Sequence, residues 1–297
     1  MENLRVRSYL SLLLLGSVLV LVGGLPVPSA FGQVSEDERD AVVKDSNYNG
    51  PPAVGKALSQ PPGLGPVPAG DLHEVRLDAV NRRVQIAEGE FITAWTFGGT
   101  VPGPTLHVGE GDTVDVTMAN RSGQDIGFNV PGKEPHSIDF HAAQVAPSDE
   151  FRGIEAGRKI HFRWRAESPG VFLYHCMGTA GVEEEHAEEA GALVERYEGT
   201  ALDVMEHVAH GMFGTVIVEP KGGWPHRADR EFVLVKNEWY VQPTDTSEGH
   251  QSLEYDASAA LQKRSRWVAF NGRANQYVDQ ALTVEVGDRV RLYLFNA

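Results

Sequence analysis

The chain has 297 residues, of which 41% are hydrophobic and 23% charged, and its formal net charge is −15 at pH 7. This length exceeds the usual size of one domain, so we expect two domains, each able to bury its own core. Nucleic-acid binding usually needs a basic face, which so acidic a chain does not favour. We therefore expect no nucleic-acid partner, and a soluble partner with a basic rim fits the charge better.

The N-terminal residues have the pattern of a secretory signal peptide. Arg5 and Arg7 precede an apolar run that ends near Leu25, and the small-residue pattern Ala30-Phe31-Gly32 follows. A transmembrane anchor is the alternative, but the run is shorter than the roughly 20 residues that span a bilayer. We therefore expect residues 1–32 to be cleaved, and the protein to be periplasmic or secreted.

Short strands dominate the rest of the chain. Residues 33–72 are polar and then rich in proline and glycine, which predicts a linker without helix or strand. From residue 73 onward, short segments of alternating hydrophobicity are separated by turns such as Val101-Pro102-Gly103-Pro104. Short strands separated by such turns predict an all-β protein made of antiparallel sandwiches or barrels.

An internal repeat predicts two copies of such a sandwich. The apolar and turn residues of 106–120 reappear with the same spacing in 282–296, and Phe97-Gly98-Gly99 recurs as Phe270-Asn271-Gly272. Repeated spacing of this kind is typical of duplicated structural units.

The repeat also sets the expected domain bounds. A first domain is expected over residues 73–225, and the start of a second over residues 226–297. In the second copy, the counterpart of the segment from His136 to Met212 would lie beyond Ala297. We therefore expect the second copy to be incomplete, and the chain to be a fragment or truncation.

The one cysteine of the chain, Cys176, follows His175 in a segment whose residues favour a strand. Successive side chains of a strand point to opposite faces, so these two side chains should reach two different sites. A small buried thiol beside a core histidine is the simpler alternative. The neighbouring histidines decide between the two interpretations.

Two other segments can supply ligands to those sites. If residues 135–141 are extended, Asp139 and His141 share one face and His136 lies on the other. Downstream, His207 and Met212 precede a further strand-like run. One thiolate, two imidazoles and a long axial thioether form the ligand set of a blue-copper electron-transfer centre. The candidates for that set are His136, Cys176, His207 and Met212. A second copper could bind the remaining group, which is His141 and His175 with Asp139 beside them.

Four motifs together resemble a known family. They are Val101-Pro102-Gly103-Pro104, His136-Ser137-Ile138-Asp139-Phe140-His141-Ala142-Ala143, Tyr174-His175-Cys176 and His207-Val208-Ala209-His210-Gly211-Met212. The chain is similar, over about residues 75–297, to the copper-containing nitrite reductases and the wider multicopper oxidase group of two-domain cupredoxins. The resemblance implies tandem cupredoxin-like Greek-key β-sandwiches, the first complete and the second incomplete.

The resemblance also implies roles for the site residues. It makes His136, Cys176, His207 and Met212 the ligands of a type 1 copper, and His141 and His175 ligands of a type 2 copper. It makes Asp139 the catalytic, proton-handling carboxylate. In the family, the third type 2 histidine comes from a neighbouring subunit of a homotrimer, and no position of this sequence matches it.

The motifs and the resemblance leave three functions open. The first is a nitrite reductase that forms nitric oxide, with electrons from a soluble donor such as cytochrome c or a small cupredoxin passing through Cys176-His175. The second is an oxygen-reducing multicopper oxidase, which would need paired His-x-His motifs that the chain lacks. The third is an electron-transfer or copper-binding cupredoxin without a working type 2 site.

An acidic insertion separates Cys176 from His207, where the family usually has a short loop. Residues 181–206 carry nine acidic side chains against one basic one, and apolar residues at helical spacing predict a helix. Thr200 and Asp203 could cap a second short helix leading into His207. Two interpretations stay open, namely a solvated helical excursion and a docking surface for a basic electron donor.

The remaining histidines share no spacing with the ligand set, and we expect them to be surface or satisfied core residues. They are His73, His107, His161, His186, His226 and His250. His210 lies within the ligand motif, but a hairpin that places copper at His207 and Met212 leaves it pointing elsewhere.

Overall fold

The computed structural model describes residues 43–47, 62–125, 132–143, 153–178, 201–244 and 251–297. The predicted signal peptide, and the predicted helical insertion as far as residue 200, lie outside these ranges. Residues Gln33–Ala297 belong to one compact unit. Within the described ranges, no helix is long and apolar enough to cross a bilayer.

Fourteen strands and three helices make up the described structure. The strands are β1 (Val43–Asn47), β2 (Leu72–Ala87), β3 (Glu90–Phe97), β4 (Leu106–Gly109), β5 (Thr113–Asn120), β6 (Asp139–Phe140), β7 (Arg158–Arg165), β8 (Gly170–His175), β9 (Phe213–Glu219), β10 (Arg230–Trp239), β11 (Val241–Pro243), β12 (Gln251–Tyr255), β13 (Trp267–Phe270) and β14 (Val290–Asn296). The helices are α1 (Ala201–Ala209), α2 (Ala257–Leu261) and α3 (Gln276–Asp279).

The strands form three sheets, of which two enclose the main core. A seven-stranded sheet has the order β1-β7-β5-β2-β3-β12-β11, and a four-stranded sheet has the order β4-β9-β8-β6. Alternating residues of β5 and β7, such as Val116 and Phe162, point inward and meet Tyr174 of β8 and Val216 of β9. All four side chains are fully buried. The arrangement is a β-sandwich whose smaller sheet carries β6 and β8.

The third sheet, in the order β13-β10-β14, repeats features of the first. β14 runs parallel to β10, as β5 runs parallel to β2. The turn after β3 also recurs after β13, where Gly98 and Asn271 have φ angles of 66° and 52° and are followed by Gly99 and Gly272 at 77° and 85°. Asparagine tolerates this left-handed conformation better than most residues do. The internal repeat is therefore present in the backbone, while the predicted domain bounds stay predictions.

The linker expected over residues 33–72 contains a strand, so this expectation was wrong in part. β1 pairs with the edge strand β7, with Val43 opposite His161. Further along, Leu64 N donates to Glu231 O (3.0 Å) and Val233 N donates to Pro62 O (2.7 Å). An edge strand presents unpaired backbone groups, and β1 gains hydrogen bonds by pairing with this edge. Local sequence pattern carries no signal for such long-range pairing.

Candidate metal centres

The end of β8 places His175 and Cys176 between two other segments. β8 pairs with β6, so that His175 lies opposite Asp139, and with β9, so that it lies opposite Phe213. The backbone N–H of Cys176 then donates to Met212 O (3.1 Å). These ladders bring residues that are distant in the chain to the same end of the smaller sheet.

The first cluster contains Cys176, His136 and His207, whose ligand atoms all lie within 4.8 Å of one another. His207 Nδ1 is 3.2 Å from Cys176 Sγ and 3.2 Å from His136 Nδ1. All three residues are buried. Because a thiol and two imidazole nitrogens converge here, the cluster has the donor set expected for a soft metal ion.

Backbone groups stabilise a thiolate in this cluster. Ser137 N donates to Cys176 Sγ (3.2 Å), and Gly178 N donates to it (3.4 Å). Burial by itself would raise the pKa of the Cys176 thiol, but the nearby His207 ring and these two N–H donors outweigh burial and lower it. The thiolate is the form that binds metal.

Met212 lies next to this cluster and is fully buried. Its N–H donates to His207 O (3.1 Å), and its carbonyl accepts the hydrogen bond from Cys176 N (3.1 Å). The backbone therefore fixes Met212 between two members of the cluster.

The spacing of the cluster fits a metal ion. Imidazole nitrogens bind transition metals at about 2.0 Å, so two of them on one tetrahedral or trigonal ion lie roughly 3.3 Å apart. The two Nδ1 atoms of His136 and His207 are 3.2 Å apart. A thiolate with two imidazoles suits copper, and the thioether of Met212 would supply a further soft ligand.

The second cluster contains Asp139, His141 and His175. His141 Nε2 is 3.1 Å from His175 Nε2 and 3.3 Å from Asp139 Oδ2, and His175 Nε2 is 3.6 Å from the same carboxylate oxygen. His175 Nδ1 donates to Cys176 O (2.8 Å), so its Nε2 keeps a lone pair for a ligand. The His141 side chain is 48% exposed, so the cluster is open to solvent.

The two histidines of the second cluster have opposite pKa shifts. The Asp139 carboxylate raises the pKa of His141. Burial lowers the pKa of His175. The buried imidazole is therefore held neutral, which is the form that ligates a metal, while the exposed imidazole is paired with an anion.

The structure places His136, Cys176 and His207 in one group and Asp139, His141 and His175 in the other. His73, His107 and His161 lie outside both groups. His73 contacts Asp112 (2.7 Å), His107 contacts Gly65 O (2.8 Å), and His161 contacts Asp115. His226 is exposed. His186 and His250 lie outside the described residues.

Comparisons with known proteins identify the family of the chain. The sequence model of the multicopper oxidase family matches residues 79–194. The copper-containing nitrite reductase of Neisseria gonorrhoeae is 31% identical over 224 residues, which are 75% of this chain and 48% of that protein. The solved copper nitrite reductase from Nitrosomonas europaea is 32% identical with a TM-score of 0.56, and the match covers 76% of this chain and 68% of that one. The chain belongs to the copper-containing nitrite reductase family.

Another solved member of this family, the Cu-containing nitrite reductase from Thermus scotoductus SA-01, is 25% identical with a TM-score of 0.57, over 76% of this chain and 44% of that one. The chain spans about half the length of the curated nitrite reductases it matches. Family membership confirms the predicted all-β, cupredoxin-like fold and supports copper as the metal. The division into type 1 and type 2 copper stays a prediction.

Three residues near the first cluster were not assigned to it from the sequence. Trp95 packs on both of its imidazoles, with ring-centroid distances of 5.6 Å to His136 and 4.6 Å to His207. His210 stacks on Trp95 with ring centroids 3.9 Å apart, and its Nδ1 lies 2.9 Å from Glu206 O. Asp203 lies 3.4 Å from His207 Nε2. Of these three residues, only Asp203 had a sequence feature that indicated its place. It precedes His207 by four residues, which is about one turn of a helix.

Proposed function

We propose that the chain is the copper-binding part of a nitrite reductase, which reduces nitrite to nitric oxide. The observation that carries this proposal is that His175 and Cys176, joined by one peptide bond, belong to two different clusters of potential copper ligands. Bound copper would supply one-electron transfer at the thiolate cluster and a Lewis-acidic substrate site at the other. The membership of the chain in the nitrite reductase family supports the same activity.

The Cys176-His175 peptide is the proposed electron path between the clusters. Cys176 Sγ belongs to the buried cluster, and His175 Nε2 belongs to the solvent-accessible one. The His175 ring is also tied to the Cys176 carbonyl by a 2.8 Å hydrogen bond. A covalent link and a hydrogen bond thus connect the site that receives an electron to the site that uses it.

Asp139 is the proposed proton donor. Its carboxylate lies 3.3 Å from His141 Nε2, within the second cluster. Reduction of nitrite consumes one electron and two protons, breaks one N–O bond and releases nitric oxide and water. A carboxylic acid beside the substrate can protonate the departing oxygen as that bond breaks. The competing role for Asp139 is to orient the ligand histidines.

The test is nitrite turnover by the copper-loaded protein, in the assembly it forms in the cell. Asp139→Asn keeps the size of the side chain but cannot donate the proton, so turnover should fall on the order of 10²-fold while both coppers stay bound. Asp115→Asn is the matched control, because Asp115 is also a buried carboxylate paired with a histidine, His161, outside both clusters. It should leave turnover unchanged.

Other outcomes would select other functions. Unchanged turnover in Asp139→Asn would make that residue structural. Oxygen consumption without nitric oxide formation would favour a multicopper oxidase, which the family match to residues 79–194 keeps as the second candidate. A visible copper band without turnover of either substrate would indicate an electron carrier.

The proposed function carries three further proposals. The electron donor is a soluble cytochrome c or small cupredoxin, because the chain is acidic and a basic donor would be attracted to it.

The active assembly is a homotrimer, in which a neighbouring subunit adds a histidine to the second cluster. The protein works in the periplasm or outside the cell, which the N-terminal pattern of residues 1–32 supports. Size measurement in solution and fractionation of cells test the last two.

A further inference from the structure

The ring of His207 lies between the thiolate cluster and a buried carboxylate. Its Nδ1 faces Cys176 Sγ and His136 Nδ1. Its Nε2, on the opposite edge, is 3.4 Å from Asp203 Oδ1. Asp203 is four residues earlier in α1, so both side chains lie on the same face of the helix. Each nitrogen of the ring therefore has a partner.

The position of Asp203 is set by the loop that also holds the thiolate. A Cβ added to Gly178 would lie 2.2 Å from Asp203 Oδ2, and Gly178 has a φ of +77°. Gly178 N donates to Cys176 Sγ (3.4 Å), while Gly178 O accepts a hydrogen bond from Ser137 Oγ (3.1 Å). The carboxylate is thus packed directly against a residue that contacts the sulfur.

A role in the helix alone does not explain this placement. Asp203 lies in the first turn of α1, where an acidic side chain is favourable to the helix dipole. That benefit is also available to an exposed side chain. Asp203 is only 6% exposed, and burial of a carboxylate is unfavourable unless a partner compensates for it. The partner that α1 presents is the far nitrogen of His207.

We propose that Asp203 is a positioning residue for the first copper centre, which holds His207 through Nε2–H, directs the Nδ1 lone pair at the metal and lowers the midpoint potential of that centre. The role rests on the copper centre proposed above. A carboxylate on the outer nitrogen of a ligand histidine fixes its tautomer and makes it a stronger donor. A fixed negative charge nearby stabilises the oxidised, more positive form of a metal centre relative to the reduced form.

The test compares three variants at this position by redox titration of the visible copper band and by competition with a copper chelator. Asp203→Asn keeps the shape and one acceptor oxygen but removes the charge, so the midpoint potential should rise while the band is kept. Asp203→Ala also removes the acceptor, so copper affinity should fall roughly 10- to 100-fold. Asp203→Glu should restore the potential toward that of the wild type.

Asp256→Asn is the matched control. Asp256 accepts a hydrogen bond from Ala259 N at the start of α2, so it has a helix-end role without a metal cluster beside it. This variant should leave potential and copper affinity unchanged.

Two results would overturn the proposal. If folded Asp203→Asn has the potential and copper affinity of the wild type, Asp203 acts only in its helix. If Asp203→Ala does not fold, the potential and copper affinity of Asp203→Asn decide the question, because this near-isosteric variant preserves packing against Gly178. A wild-type protein without a visible band on copper loading would overturn the copper centre itself, and the role of Asp203 with it.

Discussion

His175 and Cys176 are consecutive residues whose side chains belong to separate clusters. Cys176 Sγ lies 3.2 Å from His207 Nδ1, in a fully buried group. His175 Nε2 lies 3.1 Å from His141 Nε2, in a group open to solvent. The alternation of side chains at the end of β8 produces this division. One short chain segment therefore contributes a side chain to each cluster.

Replacement of Met212 tests the axial ligand. Leucine has nearly the same volume as methionine, so Met212→Leu should keep the buried packing and the fold. It removes the thioether, and the midpoint potential of the first copper should therefore shift while copper and colour are kept. Redox titration of the visible band measures the shift. If Met212→Leu loses its copper instead, the thioether is not a weak axial ligand.

Removal of His141 tests the separation of the two clusters. His141→Ala deletes one of the two imidazoles of the second cluster and leaves the first cluster intact. Metal analysis should show less bound copper, and the visible band should not change. His226→Ala is the control, because His226 is an exposed histidine outside both clusters. Loss of the visible band in His141→Ala would refute the separation.

Gly178 allows the packing around the thiolate to be tested. Gly178→Ala places a Cβ at a φ of +77° and within 2.2 Å of Asp203 Oδ2. Gly222→Ala is the matched control, because Gly222 has a φ of +88° and no atom within 4 Å of the added Cβ. The left-handed conformation costs a non-glycine residue roughly 1–2 kcal/mol, and overlap adds to this only at Gly178.

Denaturant unfolding measures both glycine variants. The free energy of unfolding should fall by roughly 1–2 kcal/mol for Gly222→Ala and by more for Gly178→Ala. Equal losses for the two variants would mean that the Asp203 carboxylate moves aside easily. The close packing of Asp203 against Gly178 would then not be a constraint on the site.

The sequence was sufficient to group the ligands, because the grouping depends on local backbone geometry. Asp139 and His141 fall in one group of potential ligands and His136 in the other, although only Asp139–Phe140 of that segment form a strand. The duplicated turn at Phe97 and Phe270 was also readable, because its glycine and asparagine residues mark unusual φ angles.

What the sequence could not provide depends on contacts between distant segments. The spacing of Asp203 and His207 shows that they share a helix face, but not that this face is buried against Gly178. The sequence suggested instead that Asp203 caps the helix. The pairing of β1 with β7 likewise depends on an unoccupied sheet edge, which no local pattern reveals. Side-chain roles in the acidic segment before residue 201 stay predictions.

The visible spectrum of the copper-loaded protein tests the central claim most directly. A thiolate with two imidazoles on copper should give intense charge-transfer absorption, and Cys176→Ser should abolish it while far-ultraviolet circular dichroism shows a retained fold. A folded, copper-loaded wild-type protein that has no such band, or a Cys176→Ser variant that keeps it, would contradict the assignment of Cys176, His136 and His207 to a blue-copper centre.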